Sequence, residues 1–104
     1  MLNSKIIETI RLRVKDLKEI DSIILFGSQA RRMADNKSDV DLAFIVNEVD
    51  DRYEMSRNYR ARLSGIEYAF DIIVLTKSEY ELDQHIPGTI SRSLVKEGRV
   101  LYAS

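Results

Sequence analysis

Leu25-Phe26-Gly27-Ser28 and, eleven positions after the serine, Asp39-Val40-Asp41-Leu42 are the stretches on which the reading of this chain turns. The first closes a short apolar run, Ile23-Ile24-Leu25-Phe26, rich in β-branched residues and cut off by a glycine. It reads as a buried strand that ends at Gly27. The second has the opposite grain. Its polar residues Asp39 and Asp41 come first and everything from Leu42 to Val46 is apolar, as expected of a strand with one wet end and a buried body. Between the two, Ser28 to about Ala34 suits a short helix or turn, and Asp35-Asn36-Lys37-Ser38 a polar loop. The glycine, the serine and both aspartates are therefore expected at strand borders.

Outward from that centre, Ile7, Ile10, Val14 and Leu17 recur at helical spacing and predict an amphipathic helix from Asn3 to about Glu19, broken by Asp21 and Ser22. Beyond the second strand, Asp50 and Asp51 suit the start of a helix that buries Met55, Tyr59, Leu63 and Ile66, keeps Arg52, Arg57 and Arg60 outside, and closes near Gly65. Phe70-Asp71-Ile72-Ile73-Val74-Leu75 is a third strand. Ser78-Glu79-Tyr80-Glu81 has the spacing of a capping box, for a helix that must stop before Pro87. A last helix from about Thr89 to Glu97 ends at Gly98, and Arg99-Val100-Leu101-Tyr102 can add a short strand. The pattern is that of an α/β or α+β domain with three main strands, whose directions the pattern does not reveal.

Composition limits the chemistry. A chain of 104 residues is expected to be one domain with a modest core and no second substrate-binding lobe, so a partner or a very open site is expected. Hydrophobic residues make up 44% and charged residues 32%, and no apolar run approaches the roughly 20 residues of a membrane span. The first residues lead into charge rather than a signal-peptide core, which points to the cytoplasm. There is no cysteine and His85 is the only histidine, too few parts for thiolate or histidine-rich metal sites or a Ser-His-Asp triad. Any metal must be held by oxygen. A net charge of −1 gives no overall attraction to nucleic acid, which is not expected as a direct template.

A glycine at a strand end followed by a serine at a helix start lets backbone N–H groups approach an anion while the hydroxyl donates one more hydrogen bond, so Gly27-Ser28 suits phosphate. Alone, the dipeptide is a weak signal, because Gly-Ser is also a common turn. Asp39 and Asp41, two apart on a strand, share a face. At about 4 Å two carboxylates repel by about 4 kcal/mol at an effective dielectric of about 20, a repulsion that a divalent cation removes. Magnesium suits such oxygens and manganese is a plausible substitute. Seen alone, the pair is as readily a solvated strand mouth. Asp71, between Phe70 and Ile72 in an apolar run, is either a wet first residue or the third member of a carboxylate cup for two metals.

Taken together, Gly27-Ser28, ten intervening residues, Asp39-x-Asp41 and a later Asp71 resemble the DNA polymerase beta-like nucleotidyltransferase superfamily. The short chain, the Gly-Ser-x-Ala-Arg form of Gly27 to Arg31, the block Ser38-Asp39-Val40-Asp41-Leu42 and the ending Glu97-Gly98-Arg99-Val100-Leu101-Tyr102 are similar to the minimal nucleotidyltransferases (MNT) within it. The resemblance implies a small mixed sheet with helices packed on it, two magnesium ions, and transfer of a nucleoside monophosphate from a triphosphate with release of pyrophosphate. It assigns the β/γ-phosphates to Gly27 and Ser28, both metals to Asp39 and Asp41, and the metal at the acceptor hydroxyl to Asp71. It also implies a partner, a HEPN-family ribonuclease toxin that such antitoxins modify by moving AMP from ATP onto a tyrosine.

Other residues are less committed. Arg31 and Arg32 are close enough in sequence to add charge at a phosphate, or are solvated residues of a surface helix. His85 suits a turn, and the tyrosines suit core or interface. Two other functions compete with protein adenylylation: a binding module that neutralises its partner by occlusion, and a nucleotidyltransferase with a small-molecule acceptor. A phosphatase built on Asp-x-Asp fits less well, because its nucleophile would follow a strand whereas Asp39 precedes one.

Overall fold

The computed structural model describes residues 2–30 and 39–104, and of Ser28 and Gln29 the backbone alone. Along them run α1 (Ser4–Val14), β1 (Ile20–Phe26), α2 (Gly27–Ala30), β2 (Val40–Val46), α3 (Arg52–Arg62), β3 (Phe70–Thr76), α4 (Lys77–Asp83), α5 (Ile90–Glu97) and β4 (Arg99–Ala103). The polar loop read at 35–38, and Arg31 and Arg32, lie outside the described residues.

The helix starts are chemically explicit. The Asn3 side chain accepts the Ile6 N–H, Asp51 the Glu54 N–H and Thr89 the Arg92 N–H, each satisfying a donor that the first helical turn leaves over. The predicted capping box is displaced: Thr76 and Glu79 form it, not Ser78 and Glu81. β3 runs one residue longer than its apolar core suggests, so Thr76 is both last strand residue and cap. The first helix also stops at Val14 rather than near Glu19. Two successive turns, Leu17 N–H to Val14 O and Ile20 N–H to Leu17 O, tighten the chain and deliver Ile20 into β1.

Asp21 and Ser22 are strand residues, not the break expected of them. Ile20 pairs with Val46 and Ser22 with Ile45, which leaves Asp21 as the extra residue of a β-bulge and explains the lost alternation. The sheet has four strands in the order β3-β2-β1-β4, with β2 and β3 parallel and the other pairs antiparallel. It is a mixed sheet in an α/β fold.

Side chains alternate across this sheet into two cores. On one face Ile23, Leu25, Leu42, Phe44, Ile72 and Val74 pack with Ile10 and Val14 of α1 and Tyr59 of α3. The Phe44 and Tyr59 rings stack with centroids 4.5 Å apart. On the other, Ile24, Ala43 and Ile45 meet Leu94 of α5, with Phe26, Ile73, Leu75 and Tyr80 around them. Tyr59 and Leu63 of the stripe predicted for α3 are buried, and Met55 and Ile66 are half-buried.

Candidate active site

The topology decides where the polar strand borders go. β1 ends at Phe26, and its antiparallel partner β2 begins at Val40, so Phe26 lies opposite Asp41. β3 starts level with β2 and runs parallel to it, so Asp41 lies opposite Asp71. The end of β1 and the starts of β2 and β3 thus share one end of the sheet. Asp41 and Asp71, on adjacent strands about 4.8 Å apart, project from the same face, the face of Ala43, Ile45, Ile73 and Leu75. Asp39, just before β2, is exposed; Asp41 is half-buried and Asp71 exposed.

Gly27 completes this corner. Its φ of +71° is a left-handed conformation, and a Cβ placed on it would run into the Asp41 carboxylate, with Oδ2 nearest. Only a glycine lets the Asp41 carboxylate approach the turn after β1 so closely. The backbone from Gly27 to Ala30 forms the short helix α2, beginning one residue before the expected helix or turn at Ser28, whose remainder at 31–34 lies outside the described residues.

The three carboxylates share an end without forming a closed cup. Among the described residues no three His, Asp or Glu side chains come together closely enough to hold a metal ion. Like charges favour such a spread. The donor set is all oxygen, which is the chemistry magnesium or manganese prefers.

Behind the carboxylates, Arg52 ties α3 to β3 and α4. One guanidinium nitrogen donates to the Val74 carbonyl at 3.1 Å and another to both Glu79 oxygens at 2.9 and 3.1 Å. The Glu79 carboxyl is held below its ordinary value, first by the Thr76 backbone N–H and then by Arg52 and the Thr76 hydroxyl, against a raising effect of burial. His85 is exposed near the end of α4, as expected of a turn residue. Arg52 is exposed, as expected of a residue off the buried stripe, but its hydrogen bond to a strand carbonyl 22 residues on carries no local sequence signal.

Residues 5–104 match the family described as polymerase beta, nucleotidyltransferase. The chain belongs to that nucleotidyltransferase family. This nucleotidyltransferase is 35% identical over 91 residues to a Methanocaldococcus jannaschii protein provisionally named a protein adenylyltransferase, covering 88% of this chain and 87% of the relative. Solved structures share its fold. A provisionally named nucleotidyltransferase of Sulfolobus solfataricus matches with TM-score 0.63 and 20% identity over 95% of this chain and 78% of that one. An MNT antitoxin crystallised with tri-AMPylated HEPN toxin, from Shewanella oneidensis, matches with TM-score 0.59 and 20% identity over 99% of this chain and 74% of that one. A toxin–antitoxin crystal structure with AMP-PNP gives TM-score 0.63 and 22% identity over 94% and 73%. The mixed sheet implied by the resemblance is the fold observed.

Proposed function

We propose that this nucleotidyltransferase moves AMP from ATP onto a protein hydroxyl, and that Asp39, Asp41 and Asp71, spread at one end of the sheet, are the residues that would draw together around two magnesium ions. We infer further that the acceptor is a tyrosine of a HEPN-family ribonuclease toxin, which makes the chain that toxin's antitoxin. The observation that carries the reading is the cross-strand pairing of Asp41 with Asp71, on one face and against the glycine turn. The provisional name of the M. jannaschii relative and the AMPylated toxin beside the Shewanella antitoxin support the protein acceptor.

In this reading each group has a task. The backbone N–H groups at Gly27 and Ser28, with the Ser28 hydroxyl, hold the β/γ-phosphates. Asp39 and Asp41 place the α-phosphate between the glycine turn and β3. Asp71 heads the outermost strand, so the acceptor hydroxyl arrives there and passes its proton to that carboxylate. The hydroxyl oxygen bonds to the α-phosphorus, the bond to the bridging oxygen breaks, and pyrophosphate leaves. Magnesium, when bound, supplies the positive charge that offsets the phosphates and carboxylates and makes the acceptor hydroxyl more acidic.

The test is transfer of α-labelled ATP to the candidate toxin in the presence of magnesium. Asp41→Asn and Asp71→Asn are each expected to lower the rate by at least about a hundredfold, the scale of one lost electrostatic group at a reacting centre, with unchanged circular dichroism. Variants that transfer AMP normally would remove the three-carboxylate reading. Variants that fail to transfer yet still neutralise the toxin would show that occlusion suffices.

A further inference from the structure

We propose that the groove along the outer edge of β3 docks an extended, hydroxyl-bearing segment of the acceptor polypeptide, delivering its hydroxyl to Asp71. The proposal rests on the protein-acceptor reading above and adds where, and in what conformation, the acceptor lies. The groove, of about 560 Å³, is lined by β3 from Ile72 to Leu75, by Arg52, Tyr53 and Ser56 of α3, and by Ile90 of α5. That volume is in the range of ligand sites. The lining begins one residue beyond Asp71, so the groove continues directly from the carboxylates.

Among the described residues the edge itself is selectively open. β3 is the last strand on its side of the sheet. Its Val74 carbonyl points outward and accepts from Arg52, and the two-residue period turns the Ile72 N–H and C=O the same way, into the groove that Ile72 lines. Arg52 therefore caps the far part of the edge and leaves the part beside Asp71. On the other outer strand, β4, an arginine likewise holds a carbonyl: Arg11 donates to Leu101 O at 2.7 Å. An added strand at Ile72 pairs main chain with main chain, and alternate side chains fall into the apolar walls.

The occupant follows from the walls. Tyr53 is 72% exposed and Ile90 41%, surfaces that suit apolar side chains rather than phosphate. The triphosphate belongs at Gly27, at the end of β1, roughly 10 Å away across two strand spacings. Arg57 lies over the Tyr53 ring at 5.0 Å and Arg60 is exposed on the same helix, so the α3 side favours an acidic flank on the segment. From Asp71 to Val74 the strand rises about 10 Å, which places the apolar anchors within about four residues of the modified hydroxyl.

The experiment uses the full chain, magnesium, α-labelled ATP and synthetic nonapeptides with a central tyrosine, alternating valines and a terminal glutamate. A second peptide carries proline at the pairing positions. Tyr53→Ala and Ile90→Ser, both at exposed positions, are expected to raise the peptide KM about tenfold each, with kcat and the ATP KM unchanged. Proline is expected to do the same, and the first peptide to slow hydrogen exchange at the Ile72 amide. Labelling that ignores both variants and proline, without protection at Ile72, overturns the docking site and leaves protein adenylylation standing. Protection at Ile72 without labelling supports the site and counts against transfer to a polypeptide. Neither labelling nor protection overturns the site, as does protection that grows with protein concentration alone, which would assign the edge to a second copy.

Discussion

At Gly27 the backbone takes φ +71°, where any residue with a Cβ costs about 1–2 kcal/mol, and the Cβ itself would displace the Asp41 carboxylate. Gly27→Ala is therefore expected to act twice. Thermal denaturation should show a fall of about 4–16 °C, from about 4–8 °C per kcal/mol in a domain of this size. AMP transfer should fall further than stability explains, because Asp41 has moved. A variant as active as the parent and equally stable would show that the turn has room the structure does not give it. Much of this corner was legible as residue types: a glycine and a serine after an apolar run, and aspartates at the mouths of two others. What local pattern did not carry was distance. That Asp41 packs on Gly27 and faces Asp71 depends on strand order and direction, which arise from pairing of Phe26 with Asp41 and of Asp41 with Asp71, residues far apart in sequence.

Among the elements, α4 shows how a correct motif can be placed at the wrong address. Ser78 and Glu81 have the spacing of a capping box, but so do Thr76 and Glu79, and the strand pairing that carries β3 through Thr76 selects the latter. Thr76→Ala is expected to cost about 1 kcal/mol, and Ser78→Ala close to nothing, by urea denaturation. Equal costs would return the cap to Ser78. Glu79 adds a pH dependence of definite sign. Its carboxyl is held below its ordinary value in the folded state, by Thr76 first and Arg52 after, so the unfolded chain takes up the proton first as pH falls. Stability contributed by Glu79 is thus complete above about pH 5 and lost below it, and Glu79→Gln should flatten that acid limb. The Arg52–Glu79 pair is 47% and 41% exposed, so the effect is small and shrinks further with salt. The bulge at Asp21 is the counterpart in β1: an inserted residue breaks the period of two, and no period-based reading recovers a strand across it.

For the whole molecule, α3 is the crossover that makes β3 parallel to β2, and so brings Asp71 beside Asp41. Besides Arg52, Tyr59 attaches it to the rest of the fold: the ring stacks on Phe44 of β2 and the hydroxyl donates its hydrogen to Glu19, just before β1, at 2.9 Å. Burial pushes the Tyr59 hydroxyl above its ordinary value of about 10, and the hydrogen bond to Glu19 pushes the same way. As pH rises past about 10 the unfolded chain therefore loses this proton while the folded one keeps it, and folding stability falls with increasing pH. The whole contribution is present below pH 10. Tyr59→Phe keeps the ring stack but removes both the hydrogen bond and the titration. It is expected to lower stability by about 1 kcal/mol at neutral pH and to decline less steeply above pH 10, so that the two stability curves converge in alkali. Parallel curves measured by urea denaturation from pH 8 to 11 would show that some other group governs the alkaline limb. Transfer activity at neutral pH supplies the link to function: if α3 acts only as the strut that sets the strand register, Tyr59→Phe retains kcat and loses activity only as temperature approaches its lowered Tm.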